Sequence, residues 1–281
     1  MLEQKLIYIV KADGVRELFN PAKLEHSLRK IGTTKELADQ IVSEIQLNLK
    51  EGNTTKEIYR QAFSLLRRKQ KPVAVRYSLK RAIAELGPTG FPFEQFVSEI
   101  FKSQGYETLT GQIVMGTCVP HEIDVVAWKE NELIMVEAKF HTDFSMSSDL
   151  KVALYVKARF DDLQKNTYKF GGQERKLTKG MLITNTKFST TAIQYGECAG
   201  LNMIGWNYPQ DKNLHHMIEG NNLVPITALI SLTQTEKKML IANNLVLSKQ
   251  LDSEALKSYG LTDEKIQQIL QEVEDIKKIC A

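Results

Sequence analysis

Two apolar runs, three residues apart, constrain this chain more than any other feature. HEIDVVAW (121–128) and ELIMVEAKF (132–140) flank the polar turn Lys129-Glu130-Asn131. Both are rich in Val, Ile and aromatic residues, the composition of β-strands. If the turn is centred between Glu130 and Asn131, Asp124 lies directly opposite Glu137, and Glu122 opposite Lys139. Side chains alternate along a strand, so Asp124, Glu137 and Lys139 emerge on one face. Ile123, Val125, Ala127, Ile134, Val136 and Ala138 form the other, apolar face. Opposed Cβ atoms lie about 4.5–5.5 Å apart. Two carboxylates at that distance repel unless a cation or a proton separates them. Hard oxygen donors suit Mg²⁺ (or Mn²⁺). A neighbouring lysine can then position an activated water and stabilise charge on phosphorus. The chemistry implied is metal-assisted hydrolysis of a phosphodiester.

Gly and Pro concentrate at GPTGFP (87–92), the clearest break in the chain, and a softer one lies across 208–225. The expected domains are therefore 1–90, 91–210 and 215–281. No internal repeat or low-complexity tract is evident. Lys plus Arg number 37 against 34 Asp plus Glu, so any basic surface must be local. Cys118, Cys198 and Cys280 are far apart and form no CxxC or Cys/His cluster, which argues against a zinc site or a disulfide framework. The opening MLEQKLIYIV is too short an apolar run for a signal or an anchor, and no window approaches the roughly 20 apolar residues of a membrane span. A cytoplasmic protein is expected.

The first segment reads as one hairpin and four helices. Asp13-Gly14 marks the hairpin turn. Asn20 can cap a helix that opens on Pro21 and ends at Gly32. Thr33 with Glu36, and Thr54 with Glu57, have capping-box spacing. A fourth helix is expected over Val73–Leu86. VKADGVRELFNPAKLEHSL, GNTTKEI and AVRYSLKRAI together resemble an ATP-cone, the nucleotide-sensing domain of ribonucleotide reductases and their repressor. The resemblance implies binding of ATP or dATP through Val10, Lys11, Glu17, Asn20, Lys23, Thr55, Lys80 and Arg81. Lysines near a helix N-terminus suit a triphosphate, because the helix dipole also favours anions there. Ala12 stands where members usually carry a basic residue.

The second segment opens with a helix, PFEQFVSEIFKSQGYE, carrying Glu94 in its first turn. The acids, the two strands and the following helices resemble the PD-(D/E)xK nuclease superfamily, and within it the Mrr-like restriction endonucleases. HEID supplies the upstream Asp, EAKF the E-x-K element, and MLITNTKFSTTAIQYGECAGLNMIGW the later strand–helix–strand. Ile123 stands where the motif's leading proline would be. The resemblance implies an α/β restriction-endonuclease-like core, a mixed sheet flanked by helices. It implies that Asp124 and Glu137 bind metal, that Lys139 positions the nucleophile, and that Glu94 adds a ligand. His121 and His141 flank the hairpin either as relay groups or as ordinary strand-end histidines, and Glu122 either rims the site or pairs with Lys139.

An amphipathic helix is expected over 149–165, with Leu150, Ala153, Leu154, Val156 and Phe160 as its stripe. From 165 to 187 a loop carries Lys165, Lys169, Arg175, Lys176, Lys179 and Lys187 against Glu174 alone, which is either a phosphate-contacting surface or a solvated run. Gly171-Gly172 suggests mobility there. Residues 226–281 read as helices and resemble helix-hairpin-helix modules, or else a helical packing unit; Asn243-Asn244 stands where such hairpins carry Gly. The expectation overall is a Mg²⁺-dependent endonuclease acting on DNA, tuned by an adenine nucleotide and assembled as a homodimer or larger homo-oligomer. The alternative is a nucleotide-responsive DNA-binding regulator with an inert nuclease core. No Walker-type phosphate loop is present, so ATP hydrolysis is not expected.

Overall fold

The computed structural model describes residues 6–11, 13–143 and 145–280. The described residues cluster into two compact units, one running up to Leu79 together with Glu274–Ile279 and the other spanning Lys80–Val273.

In the first unit β1 (Tyr8–Val10) and β2 (Arg16–Leu18) form the hairpin, followed by α1 (Pro21–Lys30), α2 (Lys35–Asn48), α3 (Thr55–Lys69) and α4 (Lys71–Ala84). Gly14, at φ +82, closes the turn, where a Cβ would be strained. Asn20 caps α1 by accepting the amides of Ala22 and Lys23, with Pro21 at the first helical position. The Thr54–Glu57 capping box forms in both directions before α3. The expected Thr33 cap is corrected: Thr34 accepts the Leu37 amide instead. Thr33 is 3% exposed, turned inward after Gly32 at φ +93, so its hydroxyl cannot serve the helix end. Leu28, Ile41, Ile45 and Leu66 are buried at the spacings the helical stripes require.

The second unit begins with the end of α4 and continues through α5 (Phe91–Ser103), β3 (Glu107–Met115), β4 (Pro120–Lys129), β5 (Glu132–Lys139), β6 (Ser147–Ser148) and α6 (Leu150–Leu163). Then come β7 (Thr167–Phe170), β8 (Gln173–Lys176), β9 (Lys179–Thr184), β10 (Lys187–Phe188), α7 (Thr190–Ala199) and β11 (Asn202–Ile204). Five strands form one mixed sheet in the order β11-β9-β5-β4-β3; β9 runs parallel to both β5 and β11, and β3, β4 and β5 are antiparallel neighbours. The β4–β5 register pairs Val125 with Val136 and Lys129 with Glu132, the alignment expected from the turn. Both faces are covered. Phe93, Phe96, Val97 and Ile100 of α5 are fully buried, each such side chain contributing roughly 1.5–3 kcal/mol. Val126, Trp128, Leu133 and Met135 pack with Ala153, Val156 and Phe160 of α6 in a second core. Ile123 joins this second core rather than the Val125 face, and Leu154, expected in the α6 stripe, is 44% exposed.

The run 165–187 is not one loop: it holds the β7–β8 hairpin and then β9 of the central sheet. Gly171 and Gly172, both with positive φ, form the two-residue turn between β7 and β8.

The helical region after the sheet comprises α8 (Leu214–Gly220), α9 (Gln234–Ala242), α10 (Ser253–Ser258) and α11 (Asp263–Cys280). It contains an internal repeat, contrary to the expectation of none. α8 leads into Asn221-Asn222-Leu223-Val224 and a 3-10 turn at Ile226–Ala228; α9 leads into Asn243-Asn244-Leu245-Val246 and a 3-10 turn at Ser248–Gln250. Asn221 and Asn243 each donate a side-chain amide to the carbonyl four residues earlier, at 2.8 Å in both cases. Asn222 and Asn244 adopt the left-handed conformation. The two turns pair symmetrically, Ile226 N–H to Val246 O and Ser248 N–H to Val224 O. Among the described residues no helix is long and apolar enough to cross a membrane.

Candidate active site

Asp124 sits where two ladders break. On one side the β3–β4 pairs run Thr110–Val125 and then Gln112–Ile123, so Gly111, at φ +61, lies across from Asp124 outside regular pairing. On the other side the β4–β5 ladder ends at Val125–Val136. One step beyond, the Asp124 carboxylate accepts the Ala138 amide at 2.6 Å, taking the place of a main-chain acceptor. Burial pushes the Asp124 carboxyl up to about 7, the charges of Glu137 and Glu94 add to the rise, and the Ala138 amide opposes it. Glu94, in the first turn of α5, is also raised, first by burial and then by Glu122 and Glu137. Four acids from α5, β4 and β5 thus share one electrostatic field. Lys139, exposed at the end of β5, pairs with Thr184 in the ladder.

Sequence reasoning missed two side chains on α6. Arg159 forms an ion pair with Glu137, donates to the Glu122 carbonyl at 3.0 Å, and donates to the Tyr155 hydroxyl. That hydroxyl also donates to Glu137 at 3.2 Å, and the guanidinium carbon lies 4.6 Å from the Tyr155 ring centroid. The Arg159 and Glu137 side chains are 14% and 15% exposed. The Arg159 Nε is buried with no hydrogen-bond partner. The available signal was the i,i+4 spacing of Tyr155 and Arg159 beside the buried Val156.

Among the described residues no three acidic, histidine or cysteine side chains converge tightly enough to cage a metal ion. Mg²⁺ does not require a cage: it is commonly held by one or two carboxylates, with waters and substrate phosphate completing the shell. Asp124 and Glu137 carry oxygen donors of that kind, and Asp124 is raised first by burial and then by the charge of Glu137, a load that a cation there would relieve. The donor chemistry fits the ion.

The flanking histidines have structural partners. His121 pairs with Asp162 at 2.8 Å, and the same carboxylate accepts the amides of Cys118 and Val119, stapling the β3–β4 turn. His121 and its neighbours hold Asp162 down to about 2. His141 meets Ser148 through its ring, and its main chain is held on both sides by the buried Asn185. Burial and then the charge of Lys139 lower the His141 pKa.

Of the basic run, Arg175 is buried and donates to the carbonyls of Glu130 and Phe170, so it is structural. Lys179 pairs with Glu132 at 2.7 Å. Lys165, Lys169, Lys176 and Lys187 remain on the exposed surface. In the C-terminal region, the amides of Val246 and Leu247 are taken by Gln250, and those of Ile230 and Ser231 by Glu272. These are main-chain donors of the kind a phosphate-gripping hairpin would offer outward.

In the first unit, Lys11 and Lys23 reach the same Glu17 oxygen, at 2.9 and 3.3 Å. The hydrogen bond to Glu17 raises the Lys11 pKa, and the same bond lowers that of Glu17. Asn20 is committed to the α1 cap. Val10 bridges to Thr54, immediately before Thr55 at the start of α3. Lys80 and Arg81 fall in the second unit, where burial and then Lys187 lower Lys80, and Arg81 pairs with Glu85 at 2.6 Å. Ala12 lies outside the described residues.

Family comparisons agree in order with this layout. Residues 7–85 match the ATP cone domain, 87–207 the Mrr catalytic domain described as a restriction endonuclease, and 225–277 the AF1548-like C-terminal domain. An uncharacterised protein of Archaeoglobus fulgidus is 33% identical over 183 residues, covering 64% of this chain and 99% of the relative. The crystal structure of a protein of unknown function, AF1548, is 32% identical with a TM-score of 0.54, covering 67% of this chain and 98% of that one.

Proposed function

The chain belongs to the Mrr-type restriction endonuclease family, with an ATP cone ahead of the nuclease domain, and from that membership we propose that it is a divalent-metal-dependent DNA endonuclease regulated by ATP or dATP. We read it as a cone at 1–90, a nuclease at 91–210 and a helical module at 215–281. The observation that carries the reading is the break in both ladders at Asp124, beside Glu137, with Glu94 in the same field. Asp124 and Glu137 would hold the ion, with Glu94 adding a ligand. Mg²⁺ or Mn²⁺ supplies a Lewis acid that lowers the pKa of bound water and neutralises charge developing on phosphorus. Lys139, exposed on the same face of β5, holds the attacking water and offers its ammonium to the phosphoryl oxygens. Four exposed lysines along 165–187 provide phosphate contacts, which give affinity without sequence information. Nucleotide at the cone shifts a conformational or oligomeric equilibrium, in a homodimer or larger assembly, through its differential affinity for the two states.

The test is nicking of supercoiled plasmid with Mg²⁺ or Mn²⁺, with and without ATP and dATP, for the wild type beside Asp124→Ala and Lys139→Ala. Each variant is expected to lose roughly a thousandfold in rate while still binding DNA. The ion pair between Arg159 and Glu137 favours a second reading, a nucleotide-responsive DNA-binding regulator whose nuclease core is inert. Intact plasmid under every condition, together with tight salt-sensitive binding, would select that reading.

A further inference from the structure

We propose that Arg159 is a built-in counter-ion that competes with the divalent cation for Glu137, and that on release its guanidinium moves to the scissile phosphodiester. The proposal rests on the nuclease reading above and adds a residue to it. The guanidinium is shared between Glu137, the Glu122 carbonyl and the Tyr155 hydroxyl, and it lies over the Tyr155 ring. A side chain present only to pin α6 to the sheet would be expected to satisfy its donors, as the buried Arg175 does toward four main-chain or side-chain acceptors. Arg159 leaves Nε buried and unpartnered, so its geometry is suboptimal where it stands. An arginine fork matches a phosphate diester bidentately.

The competition follows from charge. Glu137 cannot give both oxygens to a guanidinium and a hydroxyl and also ligate a small hard cation at full strength. Each cation therefore weakens the other's hold by the same factor. Tyr155 gives the freed guanidinium a second resting place, since its ring face holds a cation without engaging Glu137. Phosphate is the new anion that substrate brings beside α6. The exchange makes metal capture and substrate capture mutually reinforcing: metal frees the arginine, and the arginine then grips the group to be cleaved.

The experiment is Mn²⁺ binding to the full-length protein without DNA, read by calorimetry and by the loss of free Mn²⁺ signal in electron paramagnetic resonance. The wild type is compared with Arg159→Met, which keeps the aliphatic stem, and with Tyr155→Phe, which keeps the ring. Arg159→Met is expected to bind Mn²⁺ about tenfold tighter and yet to nick plasmid at least about tenfold more slowly at saturating Mn²⁺. Tyr155→Phe is expected to move both quantities in the same directions by less. Tighter metal with slower cleavage is a pairing that a merely structural arginine does not produce. Unchanged or weaker Mn²⁺ binding in Arg159→Met with wild-type melting overturns the proposal; if that variant fails to fold, the same outcome in Tyr155→Phe overturns it. Asp124→Ala separates the two layers. Should it abolish metal binding and cleavage while Arg159→Met leaves Mn²⁺ affinity unchanged, the nuclease reading stands and the exchange falls; should Asp124→Ala cleave normally, the nuclease reading falls first.

Discussion

The candidate active site of the Mrr-type domain and the lysine cluster of the ATP cone are built on the same device with opposite sign and opposite exposure. At Glu137 an anionic group is held by the cation Arg159, and both side chains are about one-seventh exposed. At Lys11 and Lys23 two cations are held by the anion Glu17, and their side chains are 41%, 66% and 25% exposed. Each pair occupies groups that a ligand of the same charge as the holder would claim. Burial decides what each can do. Charges in the half-buried acid cluster interact strongly and cost the fold stability when uncompensated. Charges in the cone sit in water, where an ion pair is weak, salt-screened and readily exchanged. The acid cluster is therefore under electrostatic load, whereas the Lys11–Glu17–Lys23 cluster keeps an excess positive charge that water screens.

The largest expected effect tests that load. The Asp124 carboxyl is raised to about 7 in the folded protein from an ordinary 3.8. Between those values the folded state binds more protons than the unfolded one, so stability falls as pH rises from about 4 to about 7 and is level above that. At 1.36 kcal/mol per unit, ionising Asp124 costs the fold about 4 kcal/mol as a ceiling. Asp124→Asn should consequently raise the melting temperature at pH 8 and lose the gain at pH 4, as read by thermal melts of both proteins in chelator. A gain that persists unchanged at pH 4 would mean that the half-buried carboxylate is not the source. Divalent metal should shrink the wild type's deficit at pH 8, because binding only to the folded state stabilises it.

The parts of this site that were legible in sequence were those that violate a local rule. Asp and Glu on Val/Ile strands are costly enough to imply a partner, and a turn centred between Glu130 and Asn131 set the register that pairs Val125 with Val136. The Thr54–Glu57 box and the Asn20-Pro21 start of α1 were equally readable, because capping depends on a few adjacent residues. What stayed hidden obeyed local rules. Tyr155 and Arg159 on an amphipathic helix look like any exposed i,i+4 pair, and only the packing of α6 against the sheet turns them toward Glu137. Arg175 is indistinguishable by type from the surface lysines of its basic run, and only the fold shows its guanidinium satisfying the carbonyls of Glu130 and Phe170. Thr33 and Thr34 are interchangeable as caps by type, and burial of Thr33 chose between them. The helical repeat is faint in sequence because its shared identity is little more than the NNLV run, while its symmetry lies in backbone pairing.

An intermediate effect is expected at the cone. Lys11→Ala and Lys23→Ala should each weaken ATP and dATP binding roughly tenfold by calorimetry. Neither should move the melting temperature, since both lysines are solvated. The contrast with Asp124→Asn is the point of the measurement: one site changes stability with or without ligand, and the other changes only affinity. A large loss of stability in Lys11→Ala would erase the distinction between the two regions.

The smallest effect separates two roles for Glu17. Resemblance makes it a nucleotide contact, whereas its geometry makes it the anion that neutralises Lys11 and Lys23. If phosphates take over those lysines, Glu17 repels them, and Glu17→Gln should tighten ATP binding a few-fold at low ionic strength. Because the groups are exposed, the gain should fade as the Debye length shrinks from about 10 Å at 0.1 M salt toward about 3 Å at 1 M. A direct hydrogen bond from nucleotide to Glu17 predicts the reverse, weaker binding in the variant at every salt concentration. The sign of the change at low salt is therefore enough to decide. A salt-dependent gain makes the cone an exposed counterpart of the Arg159–Glu137 exchange, with the same logic of a resident ion giving way to a ligand of like charge.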